Sequence, residues 1–226
     1  MEGYKQKFKD LLQKIYPGTK DIVVNNVVSN LFIKYGSIDR HYHNITHVVH
    51  CLEELDQLEK AVEYFELPID LLPIKLALWF HDVEKDEIKS KDFFGEAWYY
   101  IHESDESGYK SEVSSCEVNR FILATTYNKN PKDIMEKYIK DIDCSILGKK
   151  TEVFKDYENK VRLEYPQYSD KDFCEGRAKI LKTFLARENV YYTRYFRDRY
   201  ERQALQNLAA SIEHLEKGEC VWNGVS

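Results

Sequence analysis

The stretch LLPIKLALWFHD, residues 71–82, decides the fold. Its first ten residues are nearly all apolar, a run that fits either a buried strand or the interior helix of a bundle. It then ends abruptly on an imidazole and a carboxylate, His81 and Asp82. The neighbouring patterns on both sides are helical, and nothing in the chain alternates with period two for long, so the helix is the expected state.

Upstream, Tyr4, Phe8, Leu11, Leu12 and Ile15 recur at helical intervals and stop at Pro17-Gly18. After Asp21, the expected N-cap, Val24, Val27, Val28, Leu31 and Tyr35 continue the period until Gly36. A third helix is expected to begin near Asn44 or Thr46, to bury Val48, Cys51, Leu52, Leu55 and Leu58, and to run towards Phe65 before Pro68. Further helical patterns cover 93–102, 112–126, 131–147, 151–165, 171–187 and 193–215. Loops such as SDESGYKS (104–111) and PQYSD (166–170) are short, and there is no linker, internal repeat or low-complexity tract. The expectation is an all-α fold: one helical domain over 1–226, with a motif core at about 40–148 and C-terminal helices at 151–215 packed on it.

Composition agrees. Nine Gly and five Pro are few for 226 residues, which leans towards helix, and 43% hydrophobic content with 17 Tyr, 11 Phe and 3 Trp excludes general disorder. A net charge of −6, from 33 basic and 39 acidic residues, disfavours nonspecific nucleic-acid binding. No stretch reaches the roughly 18 consecutive apolar residues of a membrane span, and MEGYKQKFKDLLQK is too charged for a signal peptide. Five widely spaced cysteines form neither a metal knuckle nor a disulfide framework. A cytoplasmic protein with reduced thiols is expected.

Seven histidines are unevenly placed, with His41, His43, His47 and His50 inside ten residues. Such clusters more often cap, pack or face solvent than bind metal. His81-Asp82 changes the weighting, because polar groups at the end of the most hydrophobic segment need pairing or coordination. Together they make a half-site for a divalent cation. His47 on the preceding long helix and an aspartate of Asp141-Ile142-Asp143 are candidates to complete it.

The order His47, His81-Asp82, Asp143 resembles the HD superfamily of metal-dependent phosphohydrolases. The segments RHYHNITH (40–47), ALWFHDVEKD (77–86), FILATTYN (121–128), DIDCSILG (141–148), VRLEYP (161–166), FCEGRAKIL (173–181) and VYYTRYF (190–196) are similar to the predicted metal-dependent HD phosphohydrolase family. The resemblance implies an all-α HD bundle around a central metal, and hydrolysis of a phosphate ester. It makes His47, His81, Asp82 and Asp143 the ligands of one divalent ion (Mn, Fe, Co, Ni or Zn), favouring Asp143 over Asp141 because the family's ligand stands two residues before Ser-Ile-Leu-Gly. The chain departs from two-metal relatives at Thr126-Tyr127-Asn128-Lys129, where a histidine is often found, so a mononuclear centre is expected.

Around these ligands, Glu84 or Asp86 is a candidate to orient water or relay its proton, Lys85 to meet a phosphate, and Glu96 to act as a further orienter. For the run at 84–86, a solvated helix end is an equal alternative. Arg40 is the first candidate for phosphate, with Arg162 and Arg177 as others, although interhelical carboxylate pairing suits the latter two better. His43 is a candidate proton donor to the leaving group, and Asp82 both ligand and acceptor for water. The expected substrate is a small phosphomonoester such as a nucleotide, with no nucleic-acid polymer and no membrane as partner. The alternative is a noncatalytic HD module that binds metal and nucleotide as a sensor; a helical interaction protein with fortuitous histidines is a third reading.

Overall fold

The computed structural model describes residues 2–109 and 111–223. Lys110, in the loop expected at 104–111, and the extreme ends of the expected 1–226 domain lie outside the described residues. Among the described residues the chain is all-helical, with no strand: α1 Glu2–Ile15, α2 Asp21–Tyr35, α3 Ile45–Tyr64, α4 Leu72–Phe80, α5 Glu87–Ser104, α6 Ser115–Ala124, α7 Ile134–Asp143, a 3₁₀ turn Cys144–Gly148, then α8 Thr151–Leu163, α9 Asp170–Leu185 and α10 Arg194–Glu216. None of these helices is long and apolar enough to cross a membrane. The chain divides into two compact units, Met1–Ser37 with His43–Ile139, and Ile38–Tyr42 with Lys140–Ser226.

In the first unit, the decisive apolar run is the buried helix α4, with Ile74, Leu76, Ala77, Leu78, Trp79 and Phe80 all at 2% exposure or less. A helix apolar on nearly every side, with only Lys75 reaching out to Glu59 at 2.8 Å, belongs inside other helices. Phe8 of α1 stacks on Trp79 at 4.6 Å and meets Phe80 edge-on at 5.6 Å, and the Tyr35 hydroxyl of α2 donates to the Trp79 carbonyl at 3.1 Å. Phe94 of α5 closes on Phe80 at 5.1 Å. Burying each such side chain is worth about 1.5–3 kcal/mol, enough to override the indifferent helix propensity of Trp and Phe.

Several helix ends differ from expectation for local reasons. Asp21 is the first residue of α2 rather than its cap; its carboxylate accepts from Gln13 Nε2 at 3.0 Å, and Lys20 is the N-cap. Asn44 does cap α3, its Oδ1 accepting from the Thr46 N–H at 2.8 Å and hydroxyl at 2.7 Å. The helix expected at 93–102 starts earlier, at Glu87, because Asp86 caps it by accepting from the Lys89 N–H at 3.0 Å. The helix expected over 131–147 is divided: it begins at Ile134 and tightens into the 3₁₀ turn at Cys144.

In the second unit, α10 packs on α9 and on the 3₁₀ turn. The Asn207 amide donates to the carbonyls of Leu147 at 2.9 Å and Lys149 at 2.8 Å, satisfying backbone oxygens that the turn leaves open. Gly148 lies against Tyr200 and the Tyr191 hydroxyl so closely that a Cβ there would collide with both.

Candidate metal centre

Two helices of the first unit deliver the proposed ligands. The Asn44 cap fixes where α3 begins and so sets His47 on its first turn; α4 ends at Phe80 and hands His81 and then Asp82 to the same place. His47 Nε2 and His81 Nε2 stand 3.1 Å apart, and Asp82 Oδ2 is 3.2 Å from the first and 3.3 Å from the second. The two imidazoles are buried, at 1% and 0% side-chain exposure, whereas Asp82 retains 22%. The carboxylate therefore forms the accessible corner of the triangle.

The ring of His81 is fixed from behind. Its Nδ1 is 2.9 Å from the Leu78 carbonyl oxygen. A carbonyl only accepts, so Nδ1 carries a proton and Nε2 is the ring nitrogen that faces the cluster, able to ligate a cation once deprotonated. This is the backing that metal-bound imidazoles ordinarily have. The spacing also fits a cation. Two ligand atoms each about 2.1 Å from one ion stand about 3.0 Å apart at octahedral right angles and about 3.4 Å apart in a tetrahedron, and the three observed edges fall between these values.

Asp82 is chemically suited to the role. Burial pushes its carboxyl upward, but the charge of His81, hydrogen bonds from His47 and His81 and the charge of His43 outweigh that and hold it well below the usual carboxylate range. His43 is half-buried in the turn before α3, with its ring edge-on to His47 at 5.8 Å.

Cys51 joins the group, a participant the motif reading had placed only on the buried stripe. His47, Cys51 and His81 offer ligand atoms within 4.8 Å of one another, and such a buried group can hold a metal ion. Its Sγ is 3.8 and 3.7 Å from the two ring nitrogens of His47, so it abuts the ring and not the Nε2 lone pair alone. The available signal was spacing, since residue 51 follows His47 by one helical turn.

The charged run after Asp82 has structural partners. Glu84 pairs with Lys34 at 2.6 Å and Asp86 caps α5, so neither carboxylate contacts the imidazole pair. Lys85 and Glu96 are exposed.

In the second unit, Arg40 is buried, at 9% exposure. Asp141 is buried and accepts from the Tyr192 N–H at 2.8 Å and from the N–H and hydroxyl of Thr193 at 2.7 Å each. Burial pushes its carboxyl up to about 6 despite those donors. This engagement makes Asp141 a fastener for the 192–193 loop and leaves the ligand expectation on half-buried Asp143, the last residue of α7. Arg162 binds Asp170 at 2.7 Å and the carbonyls of Tyr165 and Tyr168. Arg177 is half-buried against Glu158 at 2.5 Å and the Tyr157 hydroxyl at 2.6 Å; burial pushes its pKa down, but Glu158 and Tyr157 outweigh that and raise it. Both guanidinium groups are thus engaged in the interhelical and loop pairing that their segments allow.

Comparisons with protein-family models, curated proteins and solved structures gave no match to this chain.

Proposed function

We propose that this protein is an HD-type metal-dependent phosphohydrolase that cleaves a phosphate ester of a small molecule, a nucleotide or related phosphomonoester. The observation that carries the reading is the triangle of His47 Nε2, His81 Nε2 and Asp82 Oδ2, with edges of 3.1, 3.2 and 3.3 Å and the His81 ring held from behind by the Leu78 carbonyl. The motif resemblance adds Asp143 as the fourth ligand and supplies the reaction class. A single divalent cation, when bound, supplies Lewis acidity to the phosphate and lowers the pKa of the attacking water.

The residues of the chain do the rest. The Leu78 carbonyl keeps the His81 Nε2 directed inward, so the ring needs no reorientation. Asp82 stays ionised because its imidazole neighbours hold its carboxyl low, and its exposed corner accepts a hydrogen bond from water. His43, half-buried beside His47, is the candidate to give a proton to the leaving oxygen. Arg40 is the guanidinium that the motif resemblance offers first for the phosphate itself.

The purified protein should contain about one equivalent of a divalent transition metal, removable by chelators, and should release phosphate from small esters only when reloaded. Tight nucleotide binding by calorimetry with no turnover under any metal would replace the enzyme with a sensor module. Absence of metal, together with no uptake, would refute both.

A further inference from the structure

The three corners of the triangle are anchored unequally. His47 stands on the first turn of α3, and the His81 ring is held by the Leu78 carbonyl at 2.9 Å. Asp82 lies beyond the end of α4, in the non-helical segment 81–86 that leads into α5. Its carboxylate stays within 3.2 and 3.3 Å of the two imidazoles only while that segment keeps its path.

Ser90, near the start of α5, grips that segment. It is fully buried, and its hydroxyl takes both backbone groups of one residue: Oγ accepts from the Glu84 N–H at 3.0 Å and donates to the Glu84 carbonyl at 3.2 Å. A helical serine can turn its hydroxyl back on the carbonyl four residues earlier. Here the Ser90 N–H already donates to that oxygen, on Asp86, at 2.9 Å, and the hydroxyl reaches two residues further. On the other side the buried Val83 donates its N–H to the Phe80 carbonyl at 3.1 Å. Asp82 therefore sits on a short bridge tied to α4 through Val83 and to α5 through Glu84. The Glu84 side chain adds only a partly exposed ion pair with Lys34, a weak fastening by comparison.

We propose that Ser90 is a positioning residue of the metal centre, holding Asp82 at its corner through the backbone of Glu84; this rests on the reading of His47, His81 and Asp82 as ligands. A ligand atom must be held within about 0.5 Å of its productive place before the ion arrives, or binding has to supply the ordering. Removing the Ser90 hydroxyl frees the N–H and the carbonyl of Glu84 together, so the bridge carrying Asp82 relaxes while the two imidazoles keep their own anchors. The loss falls on affinity and on the carboxylate corner specifically. Outer-shell partners of metal ligands are worth about 10–100-fold in affinity, and Ser90, acting through the backbone and not on the carboxylate itself, belongs at the lower end of that range.

The test titrates the chelated full-length chain with Co²⁺ alone and follows its visible absorption bands, which report the ligand set. Ser90→Ala should bind Co²⁺ about tenfold more weakly than the wild type, and its bands at saturation should move from the wild-type positions in the direction of those of Asp82→Ala. A residue that only supports the fold would lower the denaturation midpoint and leave the spectrum of the loaded protein unchanged. Should Ser90→Ala not fold, Ser90→Cys puts a weaker hydrogen-bonding group in the same buried place and should show the same band movement with a smaller loss of affinity. Wild-type affinity and wild-type bands in a folded Ser90 variant would overturn the positioning role and leave the metal centre standing. A wild-type chain that takes up no Co²⁺ would instead overturn the metal centre, and the positioning role with it.

Discussion

His81 donates its Nδ1 proton to the Leu78 carbonyl across 2.9 Å, and this turns the Nε2 of a fully buried ring towards the Nε2 of His47, 3.1 Å away. A polar pair of this kind at the end of the most apolar helix is costly to bury without a partner for its lone pairs. A cation held by this buried group would serve both rings.

The division of labour between Asp82 and Cys51 is open to direct measurement. His47→Ala, His81→Ala and Asp82→Ala should each weaken metal binding by more than about 100-fold, beyond the loss of an outer-shell partner alone. Cys51→Ala should keep about one metal per chain, because its sulfur lies against the His47 ring. Calorimetric titration of the chelated variants distinguishes the two.

The metal-free protein should be acid-sensitive through Asp82. Its folded carboxyl is held below the unfolded one, so its interactions with the imidazoles stabilise above the unfolded value near pH 4 and are lost as pH falls through the folded value. Urea denaturation of the chelated chain between about pH 5 and 2 should therefore show stability falling faster in the wild type than in Asp82→Asn.

Asp141 and Asp143 should separate into fastener and ligand. Asp141→Asn replaces an acceptor oxygen with an amide facing N–H donors of the 192–193 loop, and should cost about 1–3 kcal/mol in denaturation. Asp143→Asn should leave the denaturation midpoint of the metal-free protein within experimental error and abolish tight metal binding.

Arg177 and Arg162 should behave as structural residues of unequal weight. Truncating Arg177 leaves Glu158 as an uncompensated buried charge, so Arg177→Ala should cost about 3–5 kcal/mol. Asp170, the partner of Arg162, is largely exposed, so breaking that pair by Asp170→Asn should cost no more than about 1 kcal/mol. Thermal and urea denaturation of both variants checks the contrast.

The helical character of the chain was legible because apolar spacing and breakers such as Pro17-Gly18 act locally. The Asn44 cap could be read the same way, and with it the position of His47 in the first turn of α3. Asp21, expected as a cap, is a first-turn carboxylate, because the two look alike until the backbone dihedrals are known, and the capping role of Asp86 was missed because its helix was expected to start at 93. The break at Cys144 was not legible, since a 3₁₀ turn keeps the apolar pattern of the helix it follows. At the site, His47, His81 and Asp82 followed from chemistry and motif. The Leu78 carbonyl did not, because a backbone acceptor carries no sequence signal, and the engagement of Asp141 depends on a loop 51 residues away.

Phosphate release from a panel of small phosphate esters, by wild type and Asp82→Ala reloaded with each divalent metal, tests the central claim most directly. Metal-dependent turnover by the wild type that falls at least about 100-fold in the variant is the predicted result. Equal turnover by both proteins, or none by the wild type with any metal, would contradict it.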